Sequence, residues 1–152
     1  MIWKSWQELP DDMRCEAVRP YYEILASKRC DLMLKAIFDR LMAAILLIFL
    51  SPIFLVLAIW IKLDSEGPVF FRQERVTQYG QTFSIYKFRT MVQNAEQLGA
   101  QVTSKGDMRV TSVGQALRKC RLDELPQLIN ILEGAMSFVG TRPEVPRYVA
   151  AY

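Results

Sequence analysis

The 152-residue chain contains no histidine. That removes the imidazole base, the serine–histidine triad and every histidine-bound metal site. Acid–base, nucleophilic or metal chemistry therefore falls to carboxylates, lysine, tyrosine or cysteine. Cysteine is scarce as well. Cys15, Cys30 and Cys120 are odd in number, far apart and form no CxxC, so they read as reduced thiols facing a cytosol. Cys120 lies among cations that would lower its pKa, but it reads better as a packed residue than as a nucleophile. The net charge is only +3, and there is neither zinc-finger spacing nor an aromatic-studded basic motif, so no nucleic-acid partner is expected. Internal repeats and low-complexity tracts are absent.

What is present is uneven. Hydrophobic residues make up 51% of the chain and charged residues 23%, a mixture expected of a soluble part joined to one concentrated apolar segment. Residues 41–61 read LMAAILLIFLSPIFLVLAIWI, interrupted only by Ser51 and Pro52. As a helix this run is about 31 Å long, close to one hydrocarbon core. It starts too far along the chain and runs too long for a cleaved signal peptide, and it lacks the polar face of an ordinary core helix. Two membrane arrangements fit: a single span, or a re-entrant helix bent at Ser51–Pro52 with both arms returning to one face. Pro52 lacks the N–H that would bond the Ile48 carbonyl, which favours a kink, and Ser51 can bond a carbonyl so freed. Cations flank the run on both sides: Lys28, Arg29, Lys35 and Arg40 before it, Lys62, Arg72 and Arg75 after it. A single span calls for asymmetry, so this pattern leans to the re-entrant form.

The fold class expected is α+β and mostly helical. Residues 1–28 form an N-terminal extension, 29–63 the membrane helix and 64–152 a cytoplasmic domain. Trp3 and Trp6 beside Lys4 suit a membrane interface or a packed terminus. Residues 69–75 and 81–88 read as two strands of a small β-hairpin. Residues 90–98 read as a helix stopped by Gly99, and 106–110 as a loop. Thr111 is placed to cap a helix with Val113, Ala116, Leu117 and Cys120 on one face. Residues 140–146 read as a loop before a last helix.

Residues 118–132 read RKCRLDELPQLINIL. Leu125, Leu128, Ile129 and Leu132 have the spacing of a half-buried helix ending at Gly134, and Pro126 suits its first turn. Asp123 and Glu124 at its mouth read either as a cap with a first-turn charge or as groups with a chemical role. Lys87, Arg89, Arg109, Arg118, Lys119, Arg121 and Arg142 gather around this pair in the sequence. They suit a phosphate site, a solvated face or a surface for anionic lipid headgroups. Beside a phosphate site, the two carboxylates would serve as metal ligands or as a nucleophile.

Seven ordered blocks carry a resemblance: "FD" (38–39), "SP" (51–52), "IKLDSEGPVFFRQER" (61–75), "YKFRTM" (86–91), "LRKCRLDELPQLINIL" (117–132), "MSFVG" (136–140) and "RPE" (142–144). Over residues 35–144 the chain resembles the bacterial sugar transferases that are monotopic phosphoglycosyl transferases, also called polyprenyl-phosphate glycosyl-1-phosphate transferases. The resemblance implies transfer of a sugar-1-phosphate from a UDP-sugar to a membrane polyprenyl phosphate, with undecaprenyl phosphate the expected form. The products are a polyprenyl-diphosphate sugar and UMP, in the first membrane step of polysaccharide or glycoconjugate assembly, such as exopolysaccharide or capsule. It implies Asp123 as nucleophile through a phospho-aspartyl intermediate, and Glu124 as ligand of Mg²⁺. Lys87, Arg89, Arg118 and Arg142 become candidates for phosphate contacts, with Gln127 and Glu144 as further substrate-binding candidates. It favours the re-entrant helix bent at Ser51–Pro52 on the cytoplasmic face of a bacterial cell membrane, in contact with membrane lipid, and leaves a homo-oligomer open.

Three positions depart from the pattern: Thr77 where glycine often follows Arg-Val, Ala135 where an acidic residue often precedes Met-Ser, and Thr141 where proline often precedes Arg-Pro. The chain also ends inside an expected helix, so the catalytic domain is expected to be incomplete at its C-terminus. The rival from another class is a non-catalytic membrane-anchored domain that binds anionic lipid or a partner.

Overall fold

The computed structural model describes residues 3–95 and 107–149. Its spine is a 36-residue helix, α2 (Arg29–Asp64), preceded by α1 (Arg19–Ser27). Pro52 lies inside α2 and the helix continues through it. Ser51 Oγ donates to the Ile48 carbonyl at 2.7 Å, which supplies a partner to the oxygen that Pro52 leaves without one. Among the described residues, α2 alone is long and apolar enough to cross a membrane.

One stripe of α2 is buried against the rest of the chain. Leu57 and Ile61 enter a core with Phe88, Val113 and Leu117, edged by Phe54, Val69, Leu122 and Leu125. Ala43 enters a second with Leu128 and Ile131, edged by Leu46, Leu47, Leu50 and Met136. Residues 43, 46, 47, 50, 54, 57 and 61 recur at helical spacing, so one face of α2 serves both cores on either side of Pro52. Leu117 is fully enclosed, a burial that stabilises by about 1.5–3 kcal/mol. The opposite face exposes Phe38, Leu41, Ile45, Ile48, Phe49, Leu55, Ile59 and Leu63. An apolar face of this length is unusual in water.

Both ends of α2 are tied to the same domain. At the first, Asp39 Oδ2 accepts from Lys35 Nζ at 2.8 Å and from Ser137 Oγ at 2.6 Å, and Lys35 also bonds Ser137. At the other, Asp64 accepts from Ser112 Oγ at 2.6 Å and from the Val113 N–H at 3.2 Å.

The expected hairpin is present as antiparallel β1 (Phe70–Val76) and β2 (Thr82–Phe88), with Phe71 opposite Lys87 and Gln73 opposite Ile85. Helices α3 (Ser112–Lys119), α4 (Gln127–Glu133) and α5 (Pro146–Val149) follow. Thr111 caps α3 as expected, its Oγ1 accepting from the Gly114 N–H at 3.0 Å. Gly134 ends α4 with φ 83°. Asn130, fully buried on α4, ties that helix to β2. Its Oδ1 accepts from the Tyr86 N–H at 2.9 Å and its Nδ2 donates to the Ser84 carbonyl at 2.8 Å.

Several expectations are corrected. Residues 90–95 are not helical: Met91 pairs with Val110 in an isolated bridge and a turn follows with Asn94 at φ 63°. The rest of that expected helix, with Gly99, lies outside the described residues. Cys120 is exposed, because α3 stops at Lys119 and its apolar face stops with it. Leu132 is 42% exposed, since α4 turns Leu128, Asn130 and Ile131 inward instead. For the tryptophans of the N-terminal segment the packed alternative is the one seen: the Trp3 and Trp6 rings lie 5.3 and 5.1 Å from that of Tyr22 on α1.

Candidate active site

Between α3 and α4 the chain makes a 3₁₀ turn at Leu122–Glu124, entered through Arg121 in the left-handed region at φ 58°. The turn points its two carboxylates into different surroundings. Asp123 is buried, and its Oδ1 has no hydrogen-bond partner. Neither carboxylate caps the helix that follows, because the N-cap of α4 is Pro126 without a side-chain bond. The capping alternative therefore fails. A buried carboxylate oxygen without a partner is costly unless something else is meant to meet it.

Glu124 is crowded instead. Its Oε1 accepts from Lys87 Nζ at 3.2 Å and from Arg142 Nη2 at 3.1 Å, and Arg121 Nη1 stands 3.8 Å away. Burial raises the Glu124 pKa. Lys87, by its charge and its hydrogen bond, then Arg142 and Arg121, outweigh that effect and leave it lowered.

Asp123 lines a cavity of about 770 Å³ into which six cations are gathered, Arg75, Lys87, Arg89, Arg109, Arg118 and Arg121, beside apolar residues such as Phe71, Phe88 and Met91. Strand alternation explains the β1 share, since Phe71, Gln73 and Arg75 fall on one face and all three line the cavity. Lys87 comes from the same face of β2 through its pairing with Phe71.

The expected site residues are thus brought together unequally. Asp123, Lys87, Arg89, Arg118 and Glu144 line the cavity. Arg142 reaches the site through Glu124. Gln127, at the start of α4, has a buried Nε2 without a partner and is not part of the cavity wall. Arg89 is buried and partly committed: its Nη2 donates to the Ser65 carbonyl at 2.6 Å and Ser65 Oγ at 2.8 Å, closing the C-terminal end of α2. Gly67, at φ 120°, makes room for it, since a Cβ there would collide with Arg89 Nη1. Arg118 spends only Nε, on Thr90 Oγ1 at 2.8 Å.

Arg75 was missed as a site residue, and the period-two pattern of β1 was the signal that could have found it. Arg109 was counted among the gathering cations but not chosen. Its fork closes on Asp107, with Nε–Oδ1 at 2.9 Å and Nη2–Oδ2 at 2.6 Å, while Nη1 donates to the Ala95 carbonyl at 3.0 Å.

Among the described residues no group of three or more carboxylate, cysteine or histidine side chains is placed to hold a metal. A magnesium ion needs less from the protein, usually one or two carboxylates beside substrate phosphates. The donor set fits that need. All three cations approach Oε1 of Glu124, which leaves Oε2 outside those contacts, and Asp123 Oδ1 is unpartnered.

Residues 30–152 match the family model described as "Bacterial sugar transferase". A UDP-N-acetylgalactosamine-undecaprenyl-phosphate N-acetylgalactosaminephosphotransferase of Aeromonas hydrophila is 53% identical over 111 residues, 73% of this chain and 26% of that protein. A UDP-glucose:undecaprenyl-phosphate glucose-1-phosphate transferase of Escherichia coli (strain K12) is 39% identical over 143 residues, 93% of this chain and 30% of that protein. The exopolysaccharide production protein ExoY of Sinorhizobium fredii is 40% identical over 133 residues, 78% of this chain and 59% of that protein. The chain thus spans less than two thirds of the length of each.

Proposed function

The chain belongs to the bacterial sugar transferase family, and from that premise we propose that it moves a sugar-1-phosphate from a UDP-sugar to a polyprenyl phosphate at the cytoplasmic face of a membrane. Two of the relatives described above are named for transfer to undecaprenyl phosphate, and both carry a UDP-sugar in their names. The observation that carries the reading is Asp123: a buried carboxylate with an unpartnered oxygen, in a cavity walled by six cations.

The chemistry follows from that setting. An Asp123 oxygen attacks the β-phosphorus of the UDP-sugar. The bond from that phosphorus to the oxygen bridging the two phosphates breaks, and UMP leaves with the electron pair. The sugar phosphate is then held on Asp123 as an acyl phosphate. A phosphate oxygen of the lipid attacks the same phosphorus, Asp123 departs as a carboxylate, and a polyprenyl-diphosphate sugar results. A carboxylate leaves readily, which is why two easy displacements replace one hard one. Lys87 and Arg118 line the same cavity and balance the charge of the diphosphate. Glu124 is the proposed magnesium ligand; when bound, the ion would neutralise phosphate charge.

The membrane part of the proposal is a helix that enters and returns on one side, with residues 29–63 as its membrane segment and 64–152 as the catalytic domain. Supporting it, Lys35 and Asp39 at one end of α2 and Asp64 at the other bond the same domain, and cations stand outside both ends of the apolar run. Cysteines placed near Lys35 and Lys62 should label from one side of sealed vesicles only. Labelling from opposite sides would establish a span.

The chemical test is incubation with a UDP-sugar, without acceptor, followed by intact-protein mass. A sugar-phosphate adduct that disappears in Asp123→Asn supports the reading. An active Asp123→Asn variant sinks it and leaves a lipid-binding domain as the better account.

A further inference from the structure

A second cavity, of about 590 Å³, lies beside the first and carries fewer cations. Its walls are mainly apolar: Trp3 and Leu9 from the N-terminal segment, Leu32 and Ala36 from the first turns of α2, Met136 and Val139 from the loop after α4. Its volume is within the roughly 300–1,000 Å³ of ordinary ligand sites. Glu144 lines both cavities, and α5 stands between them with Tyr148 on the first and Val149 on the second. Two cations reach the second cavity. Lys35 is engaged by Asp39 and Ser137. Arg142 places Nη2 on Glu124, and its side chain is otherwise 60% exposed.

We propose that this second cavity takes the first isoprenoid units of a polyprenyl phosphate, with the phosphate monoester at Arg142. The inference rests on the functional reading above, which requires two substrates of opposite character to reach one carboxylate. A nucleoside diphosphate suits the cationic cavity and is poorly matched to apolar walls. A branched hydrocarbon suits the second cavity better, where two cations stand in place of six. The placement agrees. Leu32, Lys35, Ala36 and Asp39 form the stretch of α2 just before its apolar run, so a lipid tail leaving the bilayer along α2 meets this cavity first. Arg142 then connects the two chambers, because it is a wall of one and touches Glu124, the sequence neighbour of the Asp123 that lines the other. A guanidinium with four further N–H positions is well suited to a phosphate monoester.

The experiment uses the full chain in phosphatidylcholine–phosphatidylglycerol vesicles and reads the two half-reactions separately. Ala36→Trp fills the second cavity. Adduct formation from a UDP-sugar should match the parent, while discharge of the adduct by added polyprenyl phosphate should slow by about tenfold or more through a raised acceptor KM. Discharge at the parental rate overturns the proposal. Should Ala36→Trp fail to form the adduct at all, a second arm decides. The parent chain is irradiated with a polyprenyl phosphate carrying a diazirine in its first isoprenoid unit. Label on residues 32–39 or 135–144, competed by unlabelled polyprenyl phosphate but not by phosphatidic acid, upholds the site. Label confined to residues 41–61, or competed equally by phosphatidic acid, overturns it. A parent chain that takes label but forms no adduct would instead count against Asp123 as nucleophile.

Discussion

Two acidic turns of this molecule invite comparison. Asp107 and Asp123 both line or adjoin the same cationic cavity, yet they meet opposite fates. Asp107 is closed: the Arg109 guanidinium grips both of its oxygens and the Arg109 N–H adds a third donor, so its pKa falls from the ordinary 3.8 to about 2. Asp123, sixteen residues on, keeps a buried oxygen with no donor at all. A carboxylate whose partners are supplied by its own loop holds that loop together. One that the fold buries and leaves unsatisfied is available to a ligand. The same contrast separates Arg109, whose fork is occupied, from Arg118, whose fork is mostly open to the cavity.

The sharpest way to break this comparison is at Asp123. Asp123→Asn keeps the size and removes the attacking oxygen. Turnover should fall on the order of 10⁴-fold or more, the scale seen when a member of a catalytic unit is lost, with the melting temperature preserved or raised. A large loss of stability with activity retained would place Asp123 with Asp107. Next comes the pair of arginines. Arg118→Ala should lower kcat/KM by roughly 10- to 150-fold, equivalent to about 1.5–3 kcal/mol for a bond to a charged group, and barely move the melting temperature. Arg109→Ala should show the reverse emphasis, with lower stability and a smaller effect on chemistry. Thermal scans and steady-state kinetics on the two variants decide this.

A smaller effect is expected in the pH profile. Glu124 has a folded pKa below its unfolded value, so its ionised form stabilises the fold above the unfolded pKa. That contribution is lost as pH falls through the folded one. Stability of the parent should therefore decline on the acid side of the ordinary glutamate range, and Glu124→Gln should flatten that decline while lowering activity at every pH. Added magnesium should recover part of the activity. The smallest effect belongs to Asp107→Asn, a loss of a few degrees in melting temperature at neutral pH. The deficit should shrink between pH about 4 and about 2, because the parent loses the same interaction there as Asp107 protonates.

Much of this was readable from local sequence, and what was not has a physical pattern. The hairpin, the Thr111 cap and the Gly134 stop depend on neighbours within a few residues, and each was found near its expected place. Residues 90–95 misled because Met91 is held by Val110, a partner too distant for periodicity to show. The half-buried stripe of α4 holds at Leu125, Leu128 and Ile129 and fails at Leu132, while Asn130 turns inward to bond β2, a polar residue doing what an apolar pattern does not anticipate. The acidic pair stands just before α4, where the helix pattern puts it, but nothing local could distinguish a cap from an orphaned oxygen. That difference lies in cations gathered from β1, β2, α3 and the loop after α4. Thr77 and Ala135, noted separately as departures, turn out to touch: Thr77 Oγ1 donates to the Ala135 carbonyl at 2.9 Å.

The ties at the two ends of α2 also set an order in time. Asp64 finds Ser112 across 48 residues of chain, whereas Asp39 must wait for Ser137, 98 residues downstream. At a synthesis rate of roughly 5–20 residues per second, the first end of the helix stays unanchored for about 5–20 seconds after it is made. During that interval the apolar run is an ordinary candidate for the insertion machinery, and only its flanking cations and the Ser51–Pro52 interruption argue against threading it through. The one-sided arrangement proposed above would then be decided by the nascent chain before the domain that finally locks it exists.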